Sequence, residues 1–519
     1  MKKAIYLIIA LIGLSAPSCS DSMLDFSPTD SGSGKELLKS ASTAITSVNG
    51  VYRSMWTAGW STTANTHQCF GIAAYNLALD CMADDLIMQS QGNGWVWGDH
   101  CYNVKSNYTS SAFRSYDVWY ANYKWIANVN YIIDAEPEMA GTEADVAYVA
   151  GQAYAIRALC YLNLATWFSR APYNSLTGAS RWNEPCVPVY TTGTSIDTGG
   201  QPRESLRTVY GRIDQDIDRA IELLEKARET TLAENNKSHI NLYVALGIKS
   251  RACLAEGDWD GAFKAAKRVI DEGGYAVGTK SDLTGGMNSL DKQNVMWGAG
   301  IQVADQAGGY AGFFTHMDNK EGAYAKSAPK LISKQLYNRI SATDIRRDWW
   351  DPSDKESPYV SKKFSFANVA SFLGDYIYMR VEEMYFTAAE AALRLDDLKS
   401  ARELMNTVMA ERDPGYSANN RSGTLLGATT TTWTGSFLEN ILTHRRIELW
   451  GEYGRLFDVR RLGQGIDRRT DDGFSEECIS MMNRRNVNIT KADTYDWVLT
   501  IPKAELDANP NINEEDQNP

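Results

Sequence analysis

The sequence predicts a mostly α-helical fold, in which tetratricopeptide-like helical hairpins form a scaffold for a large irregular region. Three observations lead to this reading. Apolar residues recur at helical spacing over long stretches of the chain. Two helix pairs resemble one another at a constant offset. Between the helices, about residues 57–115, 169–207 and 273–377, glycines, prolines and aromatic residues break the periodicity.

The 519-residue chain opens on Met1-Lys2-Lys3, an apolar run from Ala4 to Leu14, and the small-residue stretch Ser15-Ala16-Pro17-Ser18. A basic end, a short apolar segment and small residues make a secretory signal, too short to span a bilayer. Cys19 directly follows, which turns it into a lipoprotein signal over 1–18 with the mature chain starting at a lipidated Cys19. A polar tether over 19–34 and a single domain over 35–519 complete the expected organisation.

Helical periodicity covers 35–54, 116–133, 143–168 and 208–228, then two pairs, 240–255 with 259–271 and 378–395 with 399–412. In these pairs Arg251-Ala252-Cys253-Leu254, Gly257-Asp258-Trp259 and Ala262 align with Glu390-Ala391-Ala392-Leu393, Asp396-Asp397-Leu398 and Ala401. Small residues where two helices meet beside a tight turn are what a tetratricopeptide unit requires. Residues 169–207, with Pro172, Pro185, Pro188 and Pro202, read as loop, and no long helix fits 273–377.

Composition narrows the function. The formal charge is −12 with no Lys/Arg-rich run, which argues against a nucleic-acid partner. Eight cysteines less Cys19 leave seven, without CxxC or metal-ligand spacing. Cys69, Cys81 and Cys101 are close enough in sequence for one disulfide among them, whereas Cys160 and Cys253 read as small core residues. The five histidines, at 67, 100, 239, 316 and 444, are not spaced as a metal pair, and no cofactor motif is present. Fifteen Trp and 27 Tyr in an exported chain suit recognition of sugars or polymers.

Several strings together resemble the SusD/RagB family of surface glycan-binding lipoproteins. They are Cys19-Ser20-Asp21-Ser22-Met23-Leu24-Asp25-Phe26-Ser27-Pro28, the alanine-rich Gln152–Leu164 helix, Arg380-Val381-Glu382-Glu383-Met384-Tyr385 running on to Ala391, the arginine-glutamate block from Arg445 to Arg461, and the closing Ile501-Pro502, Asn509-Pro510-Asn511 and Gln517-Asn518-Pro519. Trp450 and the acidic Glu514-Glu515-Asp516 depart from the pattern. The resemblance implies a SusD-like α/α superhelix and a cell outer membrane lipoprotein facing the extracellular side. It also implies a role as lid on a SusC-like TonB-dependent transporter, passing on an oligosaccharide ligand without catalysis. A peptide or other non-sugar nutrient in the same lid role is the alternative, and a glycoside hydrolase the remote one.

The residues bear on these alternatives. A glycosidase needs two carboxylates about 5 Å or 6.5–9.5 Å apart, and nothing in the sequence marks such a pair. Glu448 and Glu452, four apart, read as helix-face residues with Arg445 and Arg455 as ion-pair partners. Glu382, Glu383 and Glu390 read as scaffold. A pyranose offers an apolar C–H face to stack on a ring and hydroxyls that need polar neighbours, and Gln89–His100 has that composition. If this piece is extended, Trp95 and Trp97 share a side. Trp95, Trp97 and Asn93 are therefore candidate ligand contacts. Tyr310, presented by Gly308-Gly309, is another, and Asp85 resembles a family position at the edge of the site. Trp119, Trp125, Trp167 and Trp259 read as core.

Overall fold

The computed structural model describes residues 34–57, 66–102, 113–195, 197–233, 237–303, 311–492 and 494–519. The signal segment, Cys19, most of the tether and Tyr310 lie outside the described residues. No helix among the described residues is long and apolar enough to cross a membrane.

The main helices up to residue 462 are α1 (Ala41–Ser54), α2 (Ile72–Met82), α3 (Phe113–Ala135), α4 (Glu143–Phe168), α5 (Leu206–Lys226), α6 (Leu242–Glu256), α7 (Trp259–Glu272), α8 (Val381–Arg394), α9 (Leu398–Ala410), α10 (Phe437–Glu448) and α11 (Arg455–Leu462), and Glu476–Arg484 follows as a further helix. From α3 to α9 each packs on the next in chain order, and α7 meets α8 across the long insertion between them. This is the hairpin ladder expected from the sequence.

The internal repeat is structural down to its turns. Gly257 and Asp396, at equivalent positions, both adopt the left-handed conformation, with φ of 77° and 63°. The next residue of each copy is an N-cap: Asp258 accepts from the Gly261 N–H at 3.0 Å and Asp397 from the Ser400 N–H at 3.0 Å. Cys253, Leu254 and Ala262 of one copy pack with Ala391 of the other. The small residues singled out in the sequence therefore lie where the two copies touch.

Two parts differ from expectation. Residues 57–115 contain α2, in which every residue but Asn76 is buried. A helix apolar on all sides has no 3.6-residue pattern to detect. The stretch before α8 is a strand, Tyr376–Arg380, rather than the first turn of the helix.

The irregular region from 273 to 377 holds only helices of up to five residues and short strands among its described residues. Leu86–Ile87 (β1), Leu331–Ile332 (β3), Trp350–Asp351 (β4) and Val360–Ser361 (β5) form an antiparallel sheet in the order β1-β3-β5-β4. Val295–Ala299 (β2) pairs with Tyr376–Arg380 (β6). The β1–β3 pairing carries the excursion after α2 onto the irregular region. The seven described cysteines are buried free thiols, so Cys69, Cys81 and Cys101 form no disulfide here.

Candidate functional site

A dense charge network gathers at Glu382 of α8 and Glu448 of α10. Glu448 accepts from Arg380 at 2.9 Å, from Arg412 at 2.9 and 3.0 Å and from Arg346 at 3.1 Å. Glu382 accepts from Arg412 at 2.8 Å and from the Gly278 N–H at 2.8 Å. Glu452 bonds Arg380 and Lys363. Arg346, Arg380, Arg412 and Lys363 thus face Asp344, Glu382, Glu448 and Glu452, four charges against four, with side chains at most 7 % exposed.

Burial opposes the charge on Glu448, but Arg412, Arg380 and Arg346 outweigh it and hold its carboxyl well below the usual range. Glu383 pairs with Arg251 at 2.7 Å and Glu390 with Arg461 at 2.8 Å. The local pairing expected from spacing is corrected. Glu448 ends α10 and Glu452 lies beyond it, so they do not share a helix face. Arg445 pairs with Asp458 at 2.8 Å, and Arg455 with Asp84 and Asp85, each at 3.1 Å. Each of these carboxylates is occupied by an arginine or lysine, and none stands free for acid or base work.

Asp85 belongs to a related cluster. Its carboxylate takes two bonds from Arg446, at 2.6 and 2.9 Å, and its carbonyl accepts from the Trp450 indole at 2.8 Å. Its relative exposure is 2 %. The expected place at the edge of a ligand site is corrected to a buried ion pair tying the residue before β1 to α10, in which burial still outweighs the two arginines beside it and holds the Asp85 pKa above its usual value.

The loop after β1 is built differently. Gly92 has φ +50°, and a Cβ there would lie 2.6 Å from the Ser327 carbonyl oxygen, so only glycine lets this loop rest on the 323–328 segment. The Gly94 N–H donates to the Gln91 carbonyl at 2.8 Å, closing a turn. Val96 then takes φ 56°, a strained value for a β-branched residue. Its N–H is held by Gln68 Oε1 at 2.6 Å.

This kink separates the two tryptophans. Trp97 begins the short helix Trp97–His100 and is buried at 3 % exposure, so its expected place on a common face with Trp95 is corrected. That helix is fixed by a two-bond Arg114–Asp99 pair at 2.8 and 2.9 Å. Trp95 stays half-buried. It stacks on His67 at 4.7 Å between centroids and 16° between planes, with Tyr324 6.0 Å away.

His67 Nδ1 hydrogen-bonds the Tyr324 hydroxyl, and His316 Nε2 donates to the His67 carbonyl at 2.7 Å. Burial lowers the His316 pKa to about 3, so that ring is a neutral prop. Gln89, Gln91 and Asn93, in the loop that carries Trp95, are exposed. The resulting platform is Trp95, His67 and Tyr324, and three amide residues of the loop that carries Trp95 are exposed. Sequence reading selected Trp95 and Asn93 but missed His67 and Tyr324, which come from segments 257 residues apart. Trp349 and Trp350 are buried, and Trp119, Trp125 and Trp167 are core as expected.

A profile described as the SusD family matches residues 326–519, and one described as starch-binding associating with outer membrane matches residues 46–254. The chain belongs to the SusD family. Solved structures agree on the fold this family membership implies. A SusD-like carbohydrate binding protein from Bacteroides vulgatus ATCC 8482 is 24 % identical, with 92 % of this chain and 98 % of that one covered and a TM-score of 0.72. A SusD superfamily protein from Bacteroides thetaiotaomicron VPI-5482 is 22 % identical over 92 % and 100 %, with a TM-score of 0.73. Surface glycan-binding protein A from Bacteroides thetaiotaomicron, in complex with laminarihexaose, is 16 % identical over 92 % and 99 %, with a TM-score of 0.63. No curated protein matches the chain. For this SusD-family chain, the helical ladder and buried charge network are the scaffold, and the half-buried Trp95 platform rests on a loop fixed by Gln68 and the 323–328 segment.

Proposed function

We propose that this protein binds an oligosaccharide at the cell surface without altering it and delivers it to a SusC-like TonB-dependent transporter. The observation that carries the reading is the Trp95–His67–Tyr324 platform, with exposed Gln89, Gln91 and Asn93 in the loop that carries Trp95. Planar rings meet the C–H face of a sugar, and amides exchange hydrogen bonds with its hydroxyls. The laminarihexaose bound by one fold relative supports the ligand class. The arginine-bound carboxylates favour binding over hydrolysis, since a hydrolase needs two carboxyl groups free to act on the glycosidic bond.

Lipidation at Cys19 would hold the protein on the outer face of the outer membrane, and one family description already names that membrane. Titration calorimetry against a panel of glycans and peptides tests the proposal. It expects saturable binding of at least one glycan, weakened about thirtyfold or more in Trp95→Ala, with no cleavage products. Binding of peptides alone, or product formation, would overturn it.

A further inference from the structure

A second groove lies away from the platform and shares no lining residue with it. Trp119, Tyr120 and Tyr123 of α3 form its floor, with Tyr190, Thr194, Ser195 and Thr198 on one side and Glu505 of the C-terminal helix Lys503–Ala508 on the other. Its volume is about 470 Å³, within the range of small-molecule sites.

The walls are fixed by hydrogen bonds. Asn130 donates to the carbonyls of Tyr190 and Thr192 at 3.2 and 2.9 Å, and Asp134 accepts from the Gly193 N–H at 2.7 Å. The Tyr190 hydroxyl accepts from the Gln201 N–H at 3.0 Å, and Tyr123 donates to the Pro188 carbonyl at 2.7 Å. Opposite, Glu505 accepts from the Trp119 indole at 3.2 Å and from Asn509 at 2.8 Å, and Asn509 also donates to the Gln201 carbonyl at 2.9 Å. The C-terminal wall and the loop wall are thereby tied to one another and to α3. A ligand would find the groove already shaped, at little ordering cost.

The lining chemistry selects the ligand. The rings are arranged in steps, with Tyr120 stacked on Tyr116 at 5.6 Å and Tyr190 edge-on to Tyr123 at 5.8 Å. Around them are the hydroxyls of Thr194, Ser195 and Thr198, one carboxylate (Glu505) and one ammonium (Lys124). One charge of each sign leaves no net field to attract an anion or a cation. Flat rings ringed by hydroxyl groups fit a neutral, polyhydroxylated ligand with apolar ring faces.

We infer that this groove is a second saccharide site, one that holds a neutral mono- or disaccharide unit independently of the Trp95 platform. The test is calorimetric titration of the full chain with laminaribiose, maltose and cellobiose. Three variants are compared with the wild type: Trp95→Ala, Tyr120→Ala and Ser195→Trp, the last filling the mouth of the groove from an exposed loop position. Thermal melts verify that each is folded. The expected result is that Trp95→Ala still binds at least one disaccharide at one equivalent, and that Tyr120→Ala or Ser195→Trp, added to it, weakens this binding at least tenfold. Loss of all disaccharide binding in Trp95→Ala alone would overturn the inference while leaving the platform intact. So would no disaccharide binding at all, or binding indifferent to both groove variants, including the case in which those variants weaken only association with a transporter.

Discussion

The charge network of α8 and α10 and the loop carrying Trp95 obey opposite rules. In the network, three arginines and a lysine meet four carboxylates, all nearly dry and, apart from the local Arg346–Asp344 and Arg380–Glu382 pairs, bonded across long sequence separations. At the platform, rings stay half-buried, polar side chains are exposed, and the strain sits in the backbone at Val96. The comparison teaches that charge ties this scaffold together, whereas the half-buried ring of Trp95, set on a kinked loop, is the one we propose meets a ligand.

The largest expected effect lies in the network. Glu448→Gln leaves Arg346, Arg380 and Arg412 short of their shared anion, and should cost about 3–5 kcal/mol of stability. A urea midpoint within error of the wild type would break the distinction, since it would mean the arginines need no anion. Trp95→Ala should do the reverse. It should reduce glycan affinity by about 2 kcal/mol or more, the cost of losing a central aromatic contact, while shifting the urea midpoint little. A matching loss of stability would make Trp95 another scaffold residue.

The pH dependence separates two kinds of buried carboxyl. Glu448 is held below its unfolded value, so its stabilisation is complete above about pH 4.3 and is lost as pH falls toward the folded pKa. Asp80 is the converse. Its Oδ1 accepts from the Arg455 N–H at 2.7 Å, and burial raises its pKa to about 8. Ionising it therefore costs stability, progressively, as pH rises from about 4 through 8. Asp80→Asn should raise the urea midpoint at pH 9 relative to the wild type by more than it does at pH 5. An equal change at both would show that Asp80 is not buried as a neutral acid. The smallest effect is expected at Asn93, where Asn93→Ala should weaken glycan binding by about 0.5–1.5 kcal/mol and leave stability within about 0.5 kcal/mol. A larger stability change would place Asn93 in the scaffold.

The scaffold was legible in the sequence where periodicity and turn chemistry are local. The repeat turns at Gly257 and Asp396 and the helix pairs around them follow from residues a few positions apart. What escaped was carried by long-range pairing. Asp85 reads as a surface acid until Arg446, 361 residues on, is seen beside it. Tyr324 has no local signal that would link it to Trp95 or His67. Trp97 could be separated from Trp95 only by the φ of Val96, a backbone value that Gln68 enforces from 28 residues away. α2 escaped for the opposite reason, since burial on every side erased its pattern.

The measurement that bears most directly on this account is a calorimetric titration of wild type and Trp95→Ala with the tightest glycan of the panel, paired with urea melts of both proteins. The account predicts an affinity drop of about thirtyfold or more, the equivalent of about 2 kcal/mol, at an unchanged urea midpoint. Undiminished affinity in the folded variant would contradict it.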